Sequence, residues 1–392
     1  MTRTPPRLTT LVLMTALSVL TLNMFLPALP AMGESFGVSE AVMGLAISGY
    51  MACAAVFQMS LGALSDRIGR RPVLLGVLAL YVVTSLVCLS AQSIEVFLVA
   101  RAVQAVAVAG GVLSSAVVRD LYDGRMAAAK LGTIATAMAI APMLAPILGG
   151  FLDAWFGWRA IFAAYTIFGL AAFVLIWADL GETKQRDPAR QAGRVTALLK
   201  EPVFWAYTCV LGFSVGAFFT FLTGAPFVAS QVFGLSSDQI GLVLGSITLG
   251  YMLGAGISAR TVERVGAMPL ILVGRGLPLV SLVAALAVFL AGFGTLWVLF
   301  AATMTVGFGN GLTVANANAG ALAVRPEMAG TAAGLAGAFV LVTGAVLAGL
   351  TTMVLSAQAT PARLILLMVA AVAVSMAAAL LARRWSKALP AN

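Results

Sequence analysis

The sequence contains no histidine and only three cysteines. Without histidine the chain lacks the usual switch near neutral pH and most general-base schemes. Cys53, Cys88 and Cys209 each sit in an apolar run, at spacings that match no metal site, so they read as small core residues. No HExxH, GxSxG or Cys/His cluster occurs, which argues against a membrane enzyme. Charge is also scarce, at 9% of residues. No polar stretch is long enough for a soluble sensing domain, which argues against a receptor.

Apolar residues are what the chain has in quantity. It is 61% hydrophobic, with a mean hydropathy of +1.04. No soluble globular class fits that balance. The net charge of +9 flanks apolar runs instead of forming one face, so nucleic acid is not indicated. The 40 glycines suit closely packed membrane helices.

Apolar runs cover about 8–32, 41–64, 72–91, 95–117, 127–150 and 159–178, then 202–227, 238–259, 269–292, 295–318, 328–355 and 360–382. The first shows no cleavage site and reads as a retained helix. Each run is long enough to cross a bilayer, which needs about 20 residues. The expected fold is all-α and integral to the membrane. It has about twelve transmembrane helices in two pseudo-symmetric six-helix bundles, 1–178 and 201–392. The polar stretch 179–200, with Lys184, Arg186, Arg190, Arg194 and Lys200, reads as a linker with a short amphipathic helix. With the N-terminus inside, of the 23 Lys and Arg only Arg101, Arg159, Arg275 and Arg363 escape the cytoplasmic segments. Both termini are therefore expected in the cytoplasm of a bacterium, the chain lying in its inner membrane.

Between the second and third runs stands GALSDRIGRRP, residues 62–72. Asp66, Arg67, Arg70 and Arg71 cannot lie in hydrocarbon as a group, so a water-facing loop is expected. Gly62 would let helices approach, and Gly69 would supply the turn before Pro72. The plain alternative is an ordinary positive-inside loop. Residues 259–269, ARTVERVGAMP, repeat the order of acid, base, glycine and proline at an offset of 197. Such an echo marks a duplicated membrane domain.

Within the spans, Arg101 stands out, with Gln104 three residues on along the same helical face. A cation there faces the bundle interior or snorkels to the nearer interface. Asn23 can hydrogen-bond a substrate or Gln104, or tie helices together. Tyr50 and Gln58 share a face that can line a path. Pro27, Pro30, Pro142 and Pro146 interrupt helices and permit bends, with Gly149 and Gly150 allowing close approach. Arg275, six residues past Pro269, reads mainly as a snorkel. Phe219, Thr220 and Thr223 in the seventh run, with Asn310 in the tenth, suggest an aromatic cavity with a few hydroxyls and amides. Simple packing is the alternative.

Several of these segments resemble the major facilitator superfamily. GALSDRIGRRP is similar to its signature between helices two and three. RAVQAVAVAGG, from Arg101, resembles the second signature, and APMLAPILGG, from Ala141, the antiporter signature. NMFLPALP, from Asn23, and GWRAIF, from Gly157, resemble the bicyclomycin and chloramphenicol efflux subfamily. Two positions depart from the pattern: Asn23 replaces a usual aspartate, and Ala145 a usual glycine. The resemblance implies drug–proton antiport by alternating access. It also implies that Arg101 governs coupling or holds helix one to helix four.

No acid is found at a membrane midplane, so three accounts stay open. These are protonation of a boundary carboxylate, a substrate that carries its own charge, and facilitated diffusion. Antiport ranks first. Neutral or anionic amphipathic solutes, such as amphenicol-like drugs or metabolites, are favoured over lipophilic cations. An importer of a metabolite is the rival within transport, and a non-transporting receptor the rival outside it. No cofactor or metal is called for. The expected partners are substrate, protons and lipid, and the expected state is a monomer.

Overall fold

The computed structural model describes residues 6–122, 124–183, 198–325 and 328–386. The linker basic residues Lys184, Arg186, Arg190 and Arg194 lie outside them, with the expected amphipathic helix. The helices follow one another with short connections. They are α1 Leu8–Phe36, α2 Glu40–Ile68, α3 Arg70–Ser90, α4 Ile94–Leu121, α5 Gly124–Phe156 and α6 Arg159–Asp179. Then come α7 Pro202–Phe233, α8 Ser237–Val265, α9 Ala267–Leu290, α10 Leu296–Ala323, α11 Ala329–Ala357 and α12 Pro361–Ser386. Among the described residues, 11 helices are long and apolar enough to cross a membrane. The remaining one, α5, has 33 residues with the apolar stretch Ala141–Phe156 at its end. Helices are forced here because hydrocarbon offers backbone groups no other partner.

The chain divides into two compact units. One is Met1–Ala189 with Ser236–Gly245, the other Arg190–Leu235 with Ser246–Asn392. In the first, α1 packs on α4, α5 and α6, and α3 packs on α4 and α6. In the second, α7 packs on α10, α11 and α12, and α9 packs on α10 and α12. Advancing each first-unit pair by six helices gives its counterpart in the second.

The echo seen in the sequence extends to backbone geometry. Gly69 (φ 111°, ψ 157°) alone joins α2 to α3, and Gly266 (φ 86°, ψ 160°) alone joins α8 to α9. Both angles lie where L side chains are strained. Gly37 (φ 65°) and Gly234 (φ 65°) close α1 and α7 at the same offset of 197. The GALSDRIGRRP segment is therefore not a loop. Asp66 and Arg67 end one helix, Arg70 and Arg71 begin the next, and a single glycine separates them. Gly62 is not at a close approach, since a Cβ there would meet nothing within 4 Å.

Two helices of the first unit are interrupted. In α1 the α-helix stops at Asn23, a 3₁₀ turn covers Leu26–Ala28, and the helix resumes at Leu29. Pro27 and Pro30 cause the break, each at the start of a new stretch where its missing N–H is no loss. In α4, Ala105–Val108 is 3₁₀. Mid-helix 3₁₀ often marks a functional hinge. Here the Ala107 carbonyl accepts from the Ser18 hydroxyl of α1. Gly149 of α5 lies against the Met24 carbonyl at the α1 break, where a Cβ would collide with backbone.

The end of α6 and the residues just after it hold this unit together at the Asp66 end. Asp179 accepts from the Arg7 amide at 2.8 Å and the Thr10 hydroxyl at 2.6 Å, capping the start of α1. Glu182 accepts from the Arg70 amide at 2.9 Å and the Arg71 amide at 3.3 Å, capping α3. Carboxylates suit helix N-termini, which have orphan N–H groups and partial positive charge.

Candidate functional site

Arg101 is fully buried, which settles snorkelling against interior placement in favour of the interior. The Ser93 hydroxyl caps α4, accepting from the Val96 amide at 3.5 Å. Phe97, one turn before Arg101, packs among Phe36, Trp158 and Phe162. Trp158 and Phe162 belong to the GWRAIF motif, whose Gly157 turns α5 into α6 at φ 78°. Arg159 donates to the Ala91 carbonyl at 3.1 Å and lies on the Trp158 ring. The ring cluster thus fixes the stretch that presents Arg101.

The guanidinium is satisfied by dipoles and rings. Its Nη1–H donates to Gln104 Oε1, and its Nη2–H to the Thr21 carbonyl at 2.7 Å. Thr21 is among the last four residues of the α-helical stretch Leu8–Asn23, whose carbonyls have no intrahelical partner. The break in α1 therefore creates the acceptor. Tyr165 donates to the Leu20 and Thr21 carbonyls, at 3.1 Å each. Gln104 donates on to the Ser85 hydroxyl of α3 at 2.7 Å. The Phe25 and Tyr50 rings lie 4.1 and 4.4 Å from the guanidinium carbon. Hydrogen bonds to a charge contribute about 1.5–3 kcal/mol each, and a desolvated cation–π contact about 2 kcal/mol. Together they tie α1, α2, α3, α4 and α6. Arg101 Nε has no partner.

Asn23 stands two residues after Thr21 but does not join Gln104. Its Nδ2–H donates to the Val19 carbonyl at 2.8 Å, and its Oδ1 is buried without a partner. Gln104 is already committed at both ends. Tyr50 serves the arginine with its ring, and Gln58 is half-buried.

The second unit contains a counterpart that the sequence reading missed. Arg275 does not snorkel; it is fully buried. It donates from Nη2 to Asn310 Oδ1 at 2.8 Å and from Nε to the Thr313 hydroxyl at 3.1 Å, while Nη1 is unpartnered. Asn310 donates to the Ser214 carbonyl of α7 at 3.2 Å. Ser214 and Ser375 hydroxyls lie 3.0 Å apart, and Ser375 also bonds the Val210 carbonyl. The network ties α7, α9, α10 and α12, the counterparts of α1, α3, α4 and α6. Each unit is thus fastened by an arginine on a carboxamide. Among the described residues no carboxylate pairs with either arginine.

On α7, Phe218 and Phe219 meet at 67° with centroids 5.8 Å apart, and Phe219 is buried. Thr220 and Thr223 are buried with unpartnered hydroxyls. Elsewhere threonines such as Thr15, Thr84, Thr166 and Thr351 bond the carbonyl four residues back.

At the α2–α3 elbow, Arg70 pairs with Asp66 one turn earlier and donates from Nε to Asp120 of α4 at 2.9 Å. Asp120 is the third charge of this elbow cluster, which the sequence did not disclose. Arg71 reaches the Trp177 carbonyl at 2.9 Å, and Arg67 is exposed. On α5, Pro142 and Pro146 lie inside the helix, Pro142 half-buried and Pro146 buried. Gly150 lies against the Ser237 carbonyl. Asp153, near the end of α5, is the one buried carboxylic residue among the described residues.

Long apolar helices fastened internally by buried polar clusters, with interrupted helices beside them, define a multi-pass membrane transporter. Residues 11–348 match the model of the Major Facilitator Superfamily, and the chain belongs to that family. It is 32% identical over 80% of its length to a chloramphenicol resistance protein of Pseudomonas aeruginosa, covering 76% of that protein. It is 26% identical to multidrug resistance protein D of Escherichia coli K12, over 88% of this chain and 87% of that one. Its fold matches a bacterial homolog of the human lysosomal transporter Spinster with TM-score 0.78 at 18% identity, covering 96% of each chain. The protein moves small molecules through a membrane and is not an enzyme.

Proposed function

We propose that this protein exports small neutral or anionic amphipathic organic compounds, amphenicol-like drugs or metabolites, from a bacterial cytoplasm. It belongs, on this reading, to the bicyclomycin and chloramphenicol efflux subfamily and works as a monomer in the inner membrane with both termini inside. The observation that carries it is the enclosed Arg101–Gln104–Thr21 cluster, with the side-chain Oδ1 of Asn23, two residues after Thr21, buried without a partner. A buried polar cluster in an apolar bundle is costly and marks the working part of a membrane protein. The relatives named for drug resistance support the same reading.

Transport proceeds by alternating access. Solute enters from the cytoplasm. Asn23 and Gln58 are the candidate solute contacts of the first unit, and Phe219, Thr220 and Thr223 those of the second. Arg101 and Gln104 keep α1 on α4 while the interrupted segments bend. Asp66, Gly69, Arg70 and Arg71, with Arg67 beside them, form the cytoplasmic latch, in which Asp66 pairs with Arg70. Pro142, Pro146, Gly149 and Gly150 let α5 flex and slide at short range. Export is coupled to proton entry. The proton carrier on this reading is Asp153, a buried carboxylic residue hydrogen-bonded to Ser237.

The test is flux of a solute panel in proteoliposomes with the pH gradient imposed and collapsed. Gradient-driven counterflow of an amphenicol supports the proposal. Equal flux with and without the gradient overturns proton coupling and leaves a facilitator. Accumulation in the direction of import overturns export.

A further inference from the structure

We infer that the preferred cargo is an organic anion, drawn in by the field of two buried guanidiniums, one in each unit, that no carboxylate among the described residues neutralises. This deepens the reading above and rests on it. Arg101 and Arg275 are both fully buried. Their partners are a carboxamide oxygen plus a backbone carbonyl in one case, and a carboxamide oxygen plus a hydroxyl in the other. Those acceptors are dipoles. They orient the cation and remove none of its charge. The remaining ionised side chains among the buried described residues do not offset it. Arg70 is matched by Asp66 and Asp120. Asp153 is bonded to Ser237 near the end of α5.

A tie between helices does not need a full charge. Neutral amides and hydroxyls do it elsewhere in this chain, as Asn316 does to Ser258 at 2.8 Å and Ser214 to Ser375 at 3.0 Å. Burying a guanidinium is far more expensive than burying an amide. Two such charges of one sign, in the same kind of seat, leave each half of the molecule with a positive interior. A mobile anion that approaches either seat cancels part of that cost. At about 10 Å and an effective dielectric of about 20, one unit charge favours a monovalent anion over its neutral analogue by about tenfold. A lipophilic cation is disfavoured by the same factor. Arg101 is walled by Phe25 and Tyr50 and Arg275 is enclosed by helices, so the preference acts through the field without direct contact. Bulk salt screens buried charges poorly, so it persists at physiological ionic strength.

The experiment compares three probes in proteoliposomes under a clamped potassium–valinomycin potential. These are chloramphenicol (neutral), its hemisuccinate ester (a carboxylate on the same skeleton) and tetraphenylphosphonium (a cation). The expected result is hemisuccinate flux about tenfold or more above chloramphenicol, with a current carrying net negative charge in the direction of flux. Arg275→Met is expected to lower that ratio by about tenfold, and Arg275→Lys to retain it. Should Arg275→Met fail to fold, the wild-type ratio and the sign of the current decide alone. Equal flux of ester and parent, or faster tetraphenylphosphonium, overturns the anion preference and leaves the export reading standing. No flux of any probe by monodisperse protein overturns the export reading itself.

Discussion

At the scale of single residues, two arginines define what this chain has to be. Arg101→Ala is expected to abolish transport while membrane abundance stays near wild type, measured by efflux assay and immunoblot. Full activity in that variant would remove Arg101 from the mechanism. Gln104→Leu is a finer probe, since it leaves the guanidinium and the Ser85 hydroxyl without their shared partner. An unsatisfied charged donor costs more than the about 1–3 kcal/mol of a neutral one, so a clear fall in thermal unfolding temperature should accompany lost transport. Gly149→Ala and Gly62→Ala form a matched pair. The first drives a methyl into the Met24 carbonyl, and the second meets open space. We expect the first to destabilise by roughly 1–3 kcal/mol and the second to be silent in the same melt.

These residues also show what sequence can and cannot disclose. Arg101 and Gln104 are three apart on one helix, so their pairing follows from helical periodicity. Arg275 reads as a boundary lysine-like snorkel because its acceptors are 35 and 38 residues away on another helix. Asn310 looks like a substrate contact for the same reason: nothing local says that both ends of its amide are occupied. The ring cluster around Phe97 is hidden in the same way, being drawn from α1, α4 and α6 and the turn before α6.

At the scale of elements, the hydrophobic runs give helix positions closely, because span length is set by bilayer thickness. The helices overrun the apolar limits at several ends, as in α2, which continues through Asp66 and Arg67 to Ile68. Charged residues at such ends stay helical because their backbone bonds are already made. What the runs do not reveal is the tie between the end of α6 and the starts of α1 and α3. Asp179 and Glu182 meet amides 172 and 112 residues away. Glu182→Gln should weaken the seating of α3 by about 0.3–2 kcal/mol, read as faster amide exchange at Arg70 and Arg71. Unchanged exchange there would show that the cap is idle.

For the whole molecule, the duplicated sequence signature predicts duplicated geometry, and the glycine elbows and helix pairings repeat accordingly. The fastening differs in detail: the arginine is on α4 in one unit and on α9, counterpart of α3, in the other. Duplication has preserved which helices are tied without preserving which helix supplies the charge. Asp66→Asn is expected to shift the transporter toward the inward-facing state. Labelling of single cysteines placed near the Asp66 end of the first unit's helices checks this, and unchanged labelling counts against the latch.

The elbow at Gly69 has a mechanical meaning. One residue gives no slack, so α2 and α3 form a lever with a stiff knuckle, and a tilt at one arm reaches the other undiminished. Inserting a short Gly-Ser spacer after Gly69 would leave Asp66, Arg67, Arg70 and Arg71 in the chain and both helices intact. It would turn the lever into two loose rods, and turnover should fall even where solute still binds.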